Sequence, residues 1–338
     1  MTALNPNPAQ KTSKSPLDAL QSMLLGDMNA VNAMIIARMD SPVPMIPQLA
    51  GYLIAAGGKR IRPLMTLAAA ALYGGDMPRA HRLATAVEFI HTATLLHDDV
   101  VDNSDERRGQ KSANAIYGNE ASVLVGDFLF SRAFQLMVED GNLDVLRILS
   151  DASAIIAQGE VLQLSIQGNL NTTMDEYLEV IKGKTAALFA AACEVGPVVA
   201  GADKNAARIM CEYGMNLGIA FQIADDVLDY ASDSKTLGKE VGDDFREGKM
   251  TAPILMAYAK ANDEERAFWQ RTLADKDQSD SDLVRAITIL KRHNALEDGL
   301  QMAQDYAQKA RESLAEAPDS PLRATLDALA TYAATRTY

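Results

Sequence analysis

The chain has 338 residues, a formal net charge of −13, and is 48% hydrophobic but only 6% aromatic. That hydrophobic fraction supports a sizeable core, the Ala-, Leu- and Met-rich balance favours helix over sheet, and the acidic surplus excludes nucleic acid as a partner, which needs a basic surface. Two cysteines, Cys193 and Cys211, with no CxxC pair, indicate a reducing compartment and exclude a disulfide framework or a zinc site of that type. The N-terminus lacks the apolar core of a signal peptide, and no uninterrupted apolar run reaches the roughly 18 residues a transmembrane helix needs. A soluble, cytoplasmic protein is therefore expected.

Residues 1–16 have no periodicity and predict a disordered tail. From Leu17 to about Arg38 the apolar residues Leu20, Leu24, Met28, Val31 and Ile35 recur at helical spacing. Pro42, Pro44 and Pro47 end that helix, and a second runs from about Pro47 to Ala56. Gly57 and Gly58 stop it, and Pro63 suits the first turn of the next. Lys59 and Arg62 sit on the short turn between; alone, they read first as cations complementing a helix C-terminus.

The helix starting near Pro78 runs straight into Asp98-Asp99-Val100-Val101-Asp102. Asp98 and Asp102 lie on one face, one turn apart. Carboxylates so close repel one another and sit at the unfavourable end of the helix dipole. His91 and Thr94 are aligned with Asp98, whereas His97 is read as structural. Arg107 and Arg108 follow.

Helices are predicted at about 119–138 and 142–168. The second carries a polar mid-helix set, Gln158-Gly159-Glu160 and Gln163, which either cross-links helices or faces a cavity. A helix at about 173–182 meets Lys182-Gly183-Lys184-Thr185, where the glycine weakens the helix and would free backbone carbonyls, unless this is an ordinary helix junction. A helix over roughly 205–230 ends in a second pentad, Asp225-Asp226-Val227-Leu228-Asp229. A loop dense in charge and glycine, containing Lys239 and Lys249, follows. Four or five amphipathic helices fill 251–336. No strand alternation is visible, so residues 17–338 read as a single all-α domain.

One acidic pentad is weak evidence; two, each closing an apolar helix, are harder to explain by stability. Facing each other, they would form a cage for several Mg²⁺ ions, whose natural guest is a diphosphate. There is no Walker loop, no Ser-His-Asp spacing and no EF-hand loop, so nucleotide cleavage, acyl transfer and calcium sensing are not indicated. What remains is chemistry in which diphosphate leaves carbon, with cations stabilising the departing charge and an apolar cavity shielding a carbocation.

From the Gly57-Gly58-Lys59-Arg60 motif to Pro253 the chain resembles the trans-type polyprenyl diphosphate synthases, of the long-chain kind that make quinone side chains. The resemblance implies the all-α isoprenoid synthase bundle, a homodimer and three Mg²⁺ per site. It implies that Asp98, Asp102 and Asp225 bind metal, with Asp99, Asp226 and Asp229 supporting. Arg107, Lys184, Thr185, Gln222, Lys239 and Lys249 would hold the allylic diphosphate, and Lys59, Arg62, His91 and Arg108 isopentenyl diphosphate. Ionisation, condensation and elimination would follow, with repeated head-to-tail addition. In this family bulk just before the first pentad sets product length. Ala93 and Thr94 are small there and imply a long product, of eight to ten isoprene units. The product also implies proximity to a membrane at release. A shorter-chain synthase is the alternative. A terpene cyclase usually alters the second pentad and needs no isopentenyl diphosphate site, and a non-catalytic partner subunit commonly loses the pentads.

Overall fold

Ser15 opens the helical array. Its hydroxyl accepts the Asp18 N–H at 3.1 Å while the Asp18 carboxylate accepts the Ser15 N–H at 3.2 Å, a reciprocal cap that starts α1 (Pro16–Met23) with proline in its first turn. The structure, a computed structural model, describes residues 15–55, 58–107, 109–231 and 242–336, with 50 and 53–55 described by backbone alone. Of the expected tail, residues 1–14 lie outside the described residues; its boundary moves back, since Ser15 already caps a helix.

The chain continues through α2 (Leu25–Arg38), α3 (Met45–Ala55), α4 (Ile61–Leu72) and α5 (Met77–Val101), the helix that carries the first pentad. A minimal hairpin, β1 (Glu106–Arg107) and β2 (Gln110–Lys111), pairs antiparallel with Arg107 opposite Gln110. Then come α6 (Ala113–Tyr117), α7 (Asn119–Asp140), α8 (Leu143–Ile166) and α9 (Met174–Ile181). A π-helical turn, Lys182–Ala186, joins α9 to α10 (Ala187–Val199), and α11 (Lys204–Ala231) ends in the second pentad. The C-terminal part holds α12 (Asp243–Glu247), α13 (Ala252–Ala259), α14 (Asp263–Trp269), α15 (Asp282–Arg292), α16 (Ala295–Ser313) and α17 (Pro321–Thr335). The all-α reading is correct; the periodicity located most of the longer helices but did not single out α6, α10 or α12.

Three differences have physical causes. The single helix expected over 17–38 breaks at Leu24, whose backbone leaves the helical region (φ −113°, ψ 21°). The break lets α1 pack on α17 while α2 packs on α5, and it buries Leu24. The hairpin at 106–111 contradicts the expectation of no strand; with two residues per strand it is too short to leave an alternating pattern. The glycine at 183 does not end a helix: the chain widens into the π turn and carries on.

One apolar core lies among α4, α5, α7 and α10, around Leu67, Leu83, Phe89 and Leu129; a second lies among α11 and α13 to α16, around Ile223, Trp269 and Leu290. Each fully buried Leu or Phe there stabilises the fold by roughly 2 kcal/mol. α10 and α11 pack along each other and join the two. Among the described residues one helix, α7, is long and apolar enough to cross a membrane by length and composition, though charged residues interrupt its apolar run. It packs along α5.

Candidate active site

The first pentad ends α5 with its carboxylates in different roles. Asp99 is buried and accepts the Arg107 Nε at 2.8 Å, so the hairpin folds back onto the helix that precedes it. Its carbonyl also accepts the Ser104 N–H at 2.9 Å. Asp98 and Asp102 point elsewhere. Lys184 Nζ, from the π turn, lies 3.9 Å from Asp98 Oδ2, and Lys249 Nζ lies 3.6 Å from Asp102 Oδ2. Burial, reinforced by the Glu160 and Asp102 charges against Lys184 and Arg107, pushes the Asp98 carboxyl up to about 7.

Lys184 is held from its other side by Glu160 Oε2 at 2.8 Å. The sequence left the polar set on α8 undecided; the structure turns Glu160 to Lys184 and Asp98. Its approach depends on glycine. A Cβ on Gly159 would lie 2.6 Å from the Lys184 backbone nitrogen, and one on Gly183 would lie 3.0 Å from the Gly159 Cα. On the opposite side a Cβ on Gly218 of α11 would lie 2.6 Å from the Ala186 Cα. The π turn is thus clasped between α8 and α11 by backbone contact.

The second pentad repeats the division of roles. Asp226 is buried, accepting the Tyr177 hydroxyl at 2.6 Å and the Gln222 Nε2 at 2.7 Å, while Gln222 Oε1 accepts the Thr185 hydroxyl at 2.7 Å. Burial, with the Asp244 charge, raises its carboxyl well above the usual range, against the pull of Tyr177 and Gln222. Asp229 accepts the Asp244 N–H at 3.1 Å and ties the end of α11 to the segment carrying Lys249. Burial works against the charge on Lys249, but Asp244, Asp102 and Glu247 outweigh it and raise its pKa. Asp225 is half-exposed and accepts Arg336 Nη2 at 2.7 Å.

Arg336 was not picked out by the sequence. Its nearly buried guanidinium stacks on the Phe221 ring at 3.6 Å and donates to the Phe221 carbonyl at 2.9 Å. A single arginine beyond the last helix carries no motif, and only the fold brings it to Asp225. Tyr177 and Glu160 were missed as individual residues for the same reason. Lys59 lies nearby: burial lowers its pKa, Arg336 adds to that, and Asp225 opposes it. Arg62 Nη1 is 3.2 Å from His91 Nε2, and its guanidinium lies 4.5 Å over the Phe189 ring.

Arg108 and Lys239 lie outside the described residues. Ala93 has no exposed surface and belongs to the core, whereas Thr94 remains part-exposed, its hydroxyl donating to the His91 carbonyl at 2.8 Å. His97 approaches the Val123 carbonyl at 3.2 Å.

The donor set suits a hard divalent cation: the clustered side chains are carboxylates, with no thiol among them. No three His, Cys, Asp or Glu groups among the described residues already converge on one point. Burial that makes Asp98 hard to ionise is what a bound cation would relieve.

A helical bundle that gathers two aspartate arrays, two lysines and a cationic turn defines an enzyme built for diphosphate esters. The sequence model of the family described as "Polyprenyl synthetase" matches residues 43–290. A decaprenyl diphosphate synthase from Rhodobacter capsulatus is 53% identical, with a TM-score of 0.92 over 96% of this chain and 100% of that one. A polyprenyl synthase from Caulobacter crescentus, solved with calcium and isoprenyl diphosphate, is 51% identical, with a TM-score of 0.93 over 96% and 99%. The octaprenyl diphosphate synthase of Escherichia coli is 43% identical over 95% of this chain and 99% of its own. The chain belongs to the polyprenyl synthetase family, and it is a prenyl-transferring enzyme.

Proposed function

We propose that the protein condenses isopentenyl diphosphate with an allylic diphosphate such as farnesyl diphosphate, by repeated head-to-tail addition, to give a long all-trans polyprenyl diphosphate of eight to ten isoprene units. The observation that carries this reading is the meeting of the two pentads' surroundings. Lys184 lies at Asp98 and Lys249 at Asp102, and their own segments reach the second pentad, Thr185 through Gln222 to Asp226 and Asp244 to Asp229.

Mg²⁺ ions held by Asp98, Asp102 and Asp225 would supply neutralisation of the allylic diphosphate as it leaves. Asp99, Asp226 and Asp229 hold the scaffold of that site through Arg107, through Tyr177 and Gln222, and through the Asp244 N–H. Lys184, Lys249 and Arg107 contribute direct cationic contacts to the allylic diphosphate, with Lys239 by resemblance. Lys59, Arg62 and His91, with Arg108 by resemblance, hold isopentenyl diphosphate. The allylic carbon–oxygen bond breaks, the double bond of isopentenyl diphosphate attacks the cation, and the departing diphosphate takes the proton lost in elimination. Thr185, Gln222 and carbonyls of the π turn face the developing cation with preorganised dipoles. Thr94, with Ala93 behind it, leaves the chain room to grow.

The active unit is a homodimer working in the cytoplasm beside the membrane that receives the product, which serves quinone side chains. Residues 17–338 act as one domain. The test is product analysis of the purified protein with Mg²⁺, farnesyl diphosphate and labelled isopentenyl diphosphate. A single long all-trans product is expected; products of fifteen or twenty carbons would overturn the length, and absence of incorporation the activity.

A further inference from the structure

Arg60 is one of four non-glycine residues with positive φ among the described residues, at +49°. An arginine gains nothing from that conformation, which costs roughly 1–2 kcal/mol relative to the right-handed region. Something must hold it, and the structure supplies the holder: its guanidinium is ion-paired with Glu88, a carboxylate 8% exposed in the middle of α5. A buried pair of this kind exists for geometry more than for stability, because desolvation offsets most of the attraction.

The geometry is specific. Glu88 and His91 are three residues apart on α5 and so lie on one face. Arg60 caps α4, and Arg62 is the second residue of that helix. Glu88 takes Arg60, and His91 lies 3.2 Å from Arg62. Phe189 of α10 supplies a third point under the Arg62 guanidinium. Between the two arginines the Arg60 carbonyl accepts the Leu64 N–H at 3.1 Å and starts α4, and on the other side the Lys59 carbonyl accepts Gln21 Nε2 at 3.3 Å. The left-handed residue turns the chain so that Lys59 and Arg62 flank a fixed point.

We infer that Glu88 is a positioning residue for the homoallylic substrate: through Arg60 it locks the turn onto α5 and sets the spacing of the Lys59 and Arg62 cations that receive isopentenyl diphosphate. This rests on the assignment of Lys59 and Arg62 to that substrate. Glu88 precedes Asp98 by ten residues, about 15 Å along α5, so it is expected to act on the isopentenyl diphosphate side.

The test is steady-state kinetics of Glu88→Gln, with both substrates varied separately, beside Lys59→Ala and Arg60→Gln. KM for isopentenyl diphosphate is expected to rise about tenfold in Glu88→Gln, while kcat and KM for farnesyl diphosphate stay near wild type and the thermal midpoint falls, because the Arg60 charge loses its buried partner. Arg60→Gln, which opens the same pair from the other side, is expected to give the same selective rise, and it decides the matter if Glu88→Gln does not fold. Equal changes in both KM values, or a loss of thermal stability with KM unchanged, would mean a purely structural pair and overturn the inference. If Lys59→Ala raises KM for isopentenyl diphosphate but neither pair variant does, the inference falls and the site assignment stands. If Lys59→Ala leaves that KM unchanged, the assignment itself fails.

Discussion

Asp98 is an acid that the fold makes hard to ionise. Its carboxyl holds its proton up to about 7, against an ordinary 3.8, because burial and the neighbouring Glu160 and Asp102 charges outweigh Lys184 and Arg107. Between those two pH values the folded chain binds more protons than the unfolded one, so stability falls as pH rises through that window. Without divalent cations stability is expected to fall between about pH 4 and about pH 7, by on the order of 2–4 kcal/mol, read as a falling thermal midpoint. Mg²⁺ is expected to flatten the slope, and Asp98→Asn to flatten it without metal while abolishing turnover; thermal melts over that pH range with and without Mg²⁺ check this. A slope that survives Asp98→Asn would assign it to the other raised carboxyl, Asp226. Thr94 and Ala93 separate at the same scale. Ala93 is sealed in the core, so a tyrosine there acts first on packing, at a cost of about 1–3 kcal/mol. Thr94 keeps exposed surface one turn from Asp98. Thr94→Phe is therefore expected to shorten the product with the fold intact, read by chain-length separation of labelled products; unchanged length would exclude this face as the path of the growing chain.

The π turn at Lys182–Ala186 is the element on which the site depends, and its construction explains how much of the site could be read beforehand. Lys182-Gly183-Lys184-Thr185 was visible as a disturbance in a helical pattern, but whether it ends a helix or widens one depends on contact with Gly159 and Gly218, far away in sequence. Gly159→Ala tests that contact. Its Cβ would enter the Lys184 backbone, where 2.6 Å leaves no room and no flexible side chain can move aside. Turnover is expected to fall at least tenfold with a loss of about 1–3 kcal/mol in stability, measured by kinetics and thermal melts; wild-type behaviour would mean that α8 and the π turn move freely. The same logic covers what was not legible. Residues that sit on periodic helices or in dense charge clusters, such as the pentads, Lys184 and Lys249, are marked by their neighbours in sequence. Arg336, Tyr177 and Glu88 meet their partners only after folding, and nothing local distinguishes an arginine after the last helix from a solvated one. Likewise the break at Leu24 follows from which helices α1 and α2 pack on, and not from any breaker residue at 24.

At the scale of the molecule, α7 and α8 leave too much apolar surface for a lone chain. They are consecutive helices joined at Gly141 and Asn142, and they expose Leu124 and Val138 at 66% each, Leu143 at 80%, and Val161 at 67%. On α7, Leu124, Phe134 and Val138 recur at helical spacing on one side while the opposite side packs on α5. Large apolar side chains exposed in such numbers on one helical hairpin mark an interface, and in the homodimer proposed above a second copy of the chain would cover it by two-fold self-complementarity. Light scattering is expected to give twice the 36.4 kDa chain mass. The double variant Leu124→Asp, Val161→Asp is expected to give monomers, because each aspartate would be buried without a partner in the interface. Its activity should fall as well: α7 supports α5, which ends in Asp98, and α8 carries the Glu160 that holds Lys184. A wild-type chain that scatters as a monomer, or a double variant that stays dimeric, would place the subunit contact elsewhere. A monomeric variant with full activity would keep the interface and break its link to the site.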